Sequence, residues 1–139
     1  MNVTEGQRSL DLQQLKSKVM KKYFVTKEKA IELHQLGFNE ACLGCFYEDG
    51  QFAYHPDSDA VVDAPLYSQA FEWFRRVHKL FSHIDIGHDW EEIWYDYLIY
   101  KVELGLDYDS TISDEGLLTY EEAELECLKQ LINIVKIKK

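Results

Sequence analysis

The sequence predicts an α+β domain in the order helix–hairpin–helix–hairpin–helix, with an antiparallel sheet and helices packed on one face. Three observations predict it. Two long stretches, Ala64–Phe81 and Thr119–Ile137, repeat apolar residues at helical spacing. Asp49-Gly50 sits between CLGCFYE and QFAYH, the signal of a tight hairpin. The run Glu92–Leu104 is rich in aromatic and β-branched residues, which suit a pleated, half-buried surface. At 139 residues the chain is expected to form one domain, 1–139, with residues 1–22 as a peripheral extension.

Within that extension Leu10, Leu12, Leu15 and Val19 make a weak amphipathic pattern, and Lys16, Lys18, Lys21 and Lys22 keep it solvated. Met20 is an alternative start, because strong patterning begins just after it. Val25–Phe38 is predicted to be a short helix with Thr26 as N-cap and Val25 stapled to Ala30. Gly37 fits the left-handed position after its end, with Phe38 reaching back to Leu33. Ala30, Leu33 and Leu36 face the core, and His34 is expected to be a partly buried polar residue rather than a ligand.

Ala41–His55 is predicted to be a hairpin closed by a two-residue type I′ turn at Asp49-Gly50. That turn opposes Tyr47 to Phe52 and Cys45 to Tyr54. Residues 56–63 read as a polar connection into the central helix, Ala64–Phe81. There Pro65 fits the first turn behind a capping Asp63. Leu66, Ala70, Trp73, Val77 and Phe81 form one stripe, Tyr67, Phe71, Phe74 and His78 a second, with Arg75, Arg76 and Lys79 on the polar arc.

Strands near 82–87 and 92–104 are predicted to form a second hairpin with a turn at Gly87-His88-Asp89, followed by a loop over 105–118. Thr119 and Glu122 make a capping box at the head of the last helix. Ala123, Cys127, Leu131 and Ile134 line its core stripe, with Leu125, Leu128, Ile132 and Val135 beside it.

Charge and cysteine count bound the function. Residues 30–118 carry 18 acidic and 4 basic groups, a balance of −14, which disfavours phosphate backbones. Basic groups concentrate at the two ends, so no nucleic acid is expected on the main body. Three cysteines, an odd number, suit a reducing compartment, and no leader-like apolar segment opens the chain. A cytoplasmic location is therefore expected. No apolar run is long enough for a membrane helix, so no membrane partner is expected.

The runs KYFVTKEKAIELHQLGFNEAC, APLYSQAFEWFR and TYEEAELECLKQLINIVK resemble a family of small acidic proteins encoded by prophages and mobile elements of gut anaerobic bacteria. The likeness covers Lys22–Lys136 and weakens between Ser82 and Ser113. The family is uncharacterised. The resemblance implies a cytoplasmic bacterial or phage protein and carries over no catalytic residue.

Several residues invite chemistry. Cys42-Leu-Gly-Cys45 has the spacing of half a zinc site or a redox pair. In a regular strand those thiols point to opposite faces, and no second ligand pair lies in register, so two strand residues are the plainer reading. His78, His83 and His88 recur every five residues, matching neither helix nor strand, although they could meet in space near Asp85 or Asp89. Glu91-Glu92 and Glu121-Glu122 are adjacent in sequence and so point apart, unlike a glycosidase pair. No catalytic residue, cofactor site or metal site is assigned.

The aromatic concentration at Trp90, Trp94, Tyr95, Tyr97, Tyr100 and Tyr108 is either cross-strand packing or, where exposed, a contact surface. Trp90, Glu91, Glu92 and Trp94 are the candidate protein-contact residues. The expected function is a non-enzymatic phage or mobile-element accessory protein acting through protein–protein interaction with a host or phage protein. The alternative is a small enzyme or ligand-binding domain whose site is assembled between segments.

Overall fold

The computed structural model describes residues 21–55, 57–101, 109–112, 116–117 and 119–138. Among these, three helices and two three-stranded antiparallel sheets alternate along the chain. Helix α1 spans Lys27–Gln35, α2 Tyr67–His78 and α3 Tyr120–Lys138. Strands β1 (Gly44–Phe46), β2 (Phe52–Ala53) and β3 (Val62–Ala64) form a sheet of order β2-β1-β3. Strands β4 (Leu80–His88), β5 (Ile93–Lys101) and β6 (Asp109–Ile112) form one of order β4-β5-β6. The α+β class holds, but each expected hairpin gains a third strand and the expected single sheet is two.

Helix α1 is punctuated as its sequence predicts. The Lys29 N–H donates to Thr26 Oγ1 at 3.3 Å. At the other end Gly37, at φ 106°, lets the Phe38 N–H reach the Leu33 carbonyl at 3.0 Å and its own N–H reach that of His34 at 3.1 Å. Val25, Ala30, Leu33 and Phe38 are fully buried. His34 is exposed rather than partly buried, its ring edge-on to Phe38. Lys136 bonds Glu32 at 2.9 Å and ties α3 to α1. Burial pushes the Glu32 carboxyl up, but Lys29 and Lys136 outweigh it and hold the group below the usual range.

The first hairpin closes through three residues, Glu48-Asp49-Gly50, not two. The Tyr47 N–H donates to the Gln51 carbonyl at 2.9 Å, and only Gly50 of the loop has positive φ, at 90°. A type I′ turn needs two such residues in succession, and Asp49 is not one. Phe46 therefore pairs with Phe52, and Cys45 with Ala53, one residue away from the expected register.

The central helix begins later and ends earlier than its periodicity suggests. Residues before proline are driven to extended backbone, and Ala64 joins β3, paired with Gly44. Pro65 then lies outside the helix, Asp63 caps nothing, and Leu66 is the N-cap without a side-chain bond. The chain is held there by Val25 N–H to the Pro65 carbonyl at 3.0 Å and Tyr67 N–H to the Tyr23 carbonyl at 2.9 Å. Lys79 in the left-handed region, φ 58° and ψ 30°, stops the helix. Phe81 enters β4 and Val77 is exposed. The buried face consists of Tyr67, Ala70, Trp73 and Phe74.

Helix α3 starts with the Glu122 N–H donating to Thr119 Oγ1 at 3.1 Å. Ala123, Cys127, Leu128, Leu131, Ile132 and Val135 are buried, while Leu125 and Ile134 are half-buried. One contiguous apolar cluster joins Phe24 and Phe46 near the first sheet to Tyr97 and Ile99 of the second, with Trp73 and Leu128 among its members. The extension over residues 1–20, residues 102–104 of the expected 92–104 strand, and Tyr108 lie outside the described residues. Of the expected 105–118 loop, Asp109–Ile112 is instead strand β6, pairing with Leu98–Lys101.

Candidate protein-contact site

The second hairpin carries the candidate site. Its turn is Asp89-Trp90-Glu91-Glu92, two residues beyond the Gly87 position expected from sequence. Gly87 lies inside β4 opposite Trp94, and a Cβ there would stand 2.2 Å from the indole Nε1. Gly87 is thus a site of close side-chain approach, the other use of glycine in a strand.

The turn is fixed by its first residue. The Asp89 carboxylate accepts from the N–H groups of Glu91 and Glu92, both at 2.8 Å. These bonds hold its carboxyl below the usual aspartate range. The Asp89 N–H donates to the Glu92 carbonyl at 3.0 Å, closing the loop across Trp90-Glu91. A turn so bonded presents its central side chain in a defined place.

That side chain is Trp90, which is 102 % exposed. Glu91 and Glu92 are exposed beside it, as is Ile93, at 59 %. Trp94 behaves differently: half-buried, it covers Gly87 and also lies against Gly116. The candidates therefore divide into three presented residues, Trp90, Glu91 and Glu92, and one support, Trp94.

The remaining described aromatics of this stretch are occupied. Tyr97 is buried, and Tyr100 stacks on Phe81 with centroids 5.6 Å apart. Tyr95 meets Tyr120 edge-on at 5.9 Å and exchanges two backbone bonds with Leu117. Cross-strand stacking accounts for Tyr100, the core for Tyr97 and a contact with α3 for Tyr95, and Trp90 stands apart from them.

The other candidates do not converge. Cys42 Sγ donates to the Glu40 carbonyl and Cys45 Sγ to the His55 carbonyl, so the two thiols have separate partners. Burial, with Asp63 adding to it, pushes the Cys42 thiol up to about 11, unlike a reactive thiolate. His78 packs on Trp73 at 4.9 Å, His83 contacts Asp85 at 3.3 Å, and His88 ends β4. Among the described residues no three His, Cys, Asp or Glu side chains are grouped to hold a metal ion. Among them, too, no helix is long and apolar enough to cross a membrane.

Sequence reasoning missed Glu124. Burial, then Glu121, raises its carboxyl to about 7. It lies four residues before buried Leu128, one turn from the apolar face of α3, and that spacing is the signal that could have found it. Nearby, Lys21, Lys22, Phe24, Lys27, Tyr67 and Glu121 help line an open cleft of about 510 Å³. Because the folded pKa exceeds the unfolded one, the folded chain holds a proton there that the unfolded chain releases. Stability from this group is present below about pH 4.5 and declines as pH rises toward about 7. Glu124→Gln is expected to raise the melting temperature at pH 8 and leave it unchanged at pH 4. Equal melting temperatures for both chains at pH 8 would contradict the half-buried placement.

The chain is thus a small α+β protein whose second hairpin exposes a tryptophan on a hydrogen-bonded turn. Comparison with protein-family models, with curated proteins and with solved structures finds no match for the chain.

Proposed function

We propose that the protein is a non-enzymatic binding module of a phage or mobile element, which engages a host or phage protein through the tip of its second hairpin. The observation that carries this reading is the exposure of Trp90 on a turn braced by Asp89. Leaving an indole in water is unfavourable, and tryptophan is the residue type most enriched among dominant interface anchors. Glu91, Glu92 and Asp89 surround it with negative charge, so the complementary partner has an apolar slot with a basic rim. The same charge, within an acidic middle segment, disfavours nucleic acid on this surface.

Affinity capture from bacterial lysate tests the reading. Native protein is expected to retain a defined partner after nuclease treatment, and Glu91→Lys with Glu92→Lys to lose it. Capture that disappears with nuclease, or survives the charge reversal, would contradict it.

A second reading rests on Glu124 and the neighbouring cleft. A carboxyl raised to about 7 could serve as a general acid or base for a small ligand. The cleft is open, and Glu124 is accounted for by its half-buried place on α3 one turn before Leu128, so the hairpin reading is preferred.

A further inference from the structure

Strand β4 is the edge of its sheet, with β5 on one side and, among the described residues, no strand on the other. Its nine residues pair with β5 without a bulge, from Leu80 with Lys101 to His88 with Ile93. It contains neither lysine nor proline, two of the devices that blunt an edge, and Asp85 is its one acidic residue.

The direction of its free backbone groups follows from β5. Tyr95 gives its N–H to the Leu117 carbonyl and takes that of Leu117, both at 2.8 Å, on the side away from β4. Its register partner Ile86 must then also turn its N–H and C=O away from β5, because directly opposed residues in an antiparallel pair share one bonding sense. By alternation Ser82, Ile84 and His88 do the same, so four residues turn donors and acceptors to the edge that no described strand pairs with.

The side chains select what can add there. His83 and Asp85 project on the opposite face from Ile84, and both are exposed, at 45 % and 64 %. We propose that a second copy of this chain adds its own β4 antiparallel to this edge, about a two-fold axis through Ile84. In that register Ile84 faces Ile84 of the second copy and Ser82 faces Ile86, exchanging backbone bonds. His83 of each copy lies opposite Asp85 of the other, twice across the axis, so the imidazole that contacts Asp85 of its own strand at 3.3 Å also faces the carboxylate of the second copy. Shifting the axis by one residue sets Asp85 against itself, a like-charge pair, or His83 against itself, which leaves each carboxylate without an imidazole opposite, so these side chains separate the registers.

The product is a six-stranded sheet whose two Trp90 turns point to opposite ends. Ile86, 60 % exposed in the single chain, gains cover beside Ser82 of the second copy. Pairing through one strand buries little area, below the roughly 1,200 Å² of stable complexes, so the dimer is weak and concentration-dependent.

Sedimentation velocity over micromolar to millimolar concentrations tests this on the full chain. Native protein is expected to show a reversible monomer–dimer equilibrium. Ile86→Pro removes an outward N–H where proline is tolerated, and is expected to leave monomer with an unchanged circular dichroism spectrum. His83→Asp, an exposed change that keeps the test open should the proline variant fail to fold, is expected to weaken association by about tenfold. Adding Asp85→His to it exchanges the two side chains, sets each imidazole opposite a carboxylate again and is expected to restore the dimer. A native chain that stays monomeric throughout, whatever else binds the edge, overturns the proposal. So does a dimer indifferent to His83→Asp, or one that the double exchange fails to restore.

Discussion

Trp73→Ala is expected to destabilise the protein by about 3–5 kcal/mol, the cost of removing a large aromatic from a packed interior. Trp73 is only 4 % exposed and sits where three rings meet: Phe38 at 5.5 Å, Phe74 at 5.0 Å and His78 at 4.9 Å. It belongs to the cluster that joins both sheets, so the void would open between elements rather than at their edge. Arg76, one turn away on the exposed arc, pairs with Glu40 and Glu72 in solvent-accessible geometry. Exposed pairs contribute little, and Arg76→Ala is expected to cost about 0.5 kcal/mol or less. Urea unfolding with unchanged slope separates the two. Similar midpoints for both variants would mean that α2 is rotated about its axis relative to this description.

The second large effect is on binding. Trp90→Ala is expected to leave the unfolding midpoint within about 0.5 kcal/mol of native, since the ring covers nothing in its own chain. Its affinity for the captured partner is expected to fall by about 2 kcal/mol or more, roughly thirtyfold, as for a central aromatic anchor. Trp94→Ala should act differently. Half-buried over Gly87 and against Gly116, Trp94 supports the hairpin, and its loss is expected to affect stability. Titration calorimetry alongside thermal melts distinguishes an anchor from a support. Equal affinity for native and Trp90→Ala protein would remove the turn from the interface.

The contrast between those tryptophans shows what could be read from the chain alone. Helix ends were legible where a local backbone device marks them, as at Thr26, Gly37 and Thr119, because capping depends on residues within one turn. Strand β3 was not, since Val62–Ala64 is short and is extended only because β1 and the following proline make it so. Hairpin register depended on loop length, and one residue more at Glu48-Asp49-Gly50 changed every partner. The same sensitivity governs Trp90 and Trp94. Their sequence context is alike, but the turn sets one at the tip and the other across from a glycine. Composition could name the candidates, but only the register could tell presented residues from buried ones.

Irradiating cells that express a variant with a photoreactive phenylalanine analogue at position 93, which is 59 % exposed beside the turn and leaves Trp90 in place, reads directly what the hairpin tip touches. The control places the same analogue at Val61, which is exposed just before β3 in the other sheet. A discrete adduct of one partner protein is expected from position 93 and none from position 61. No adduct from position 93, or the same pattern from both positions, would contradict an interface at this turn.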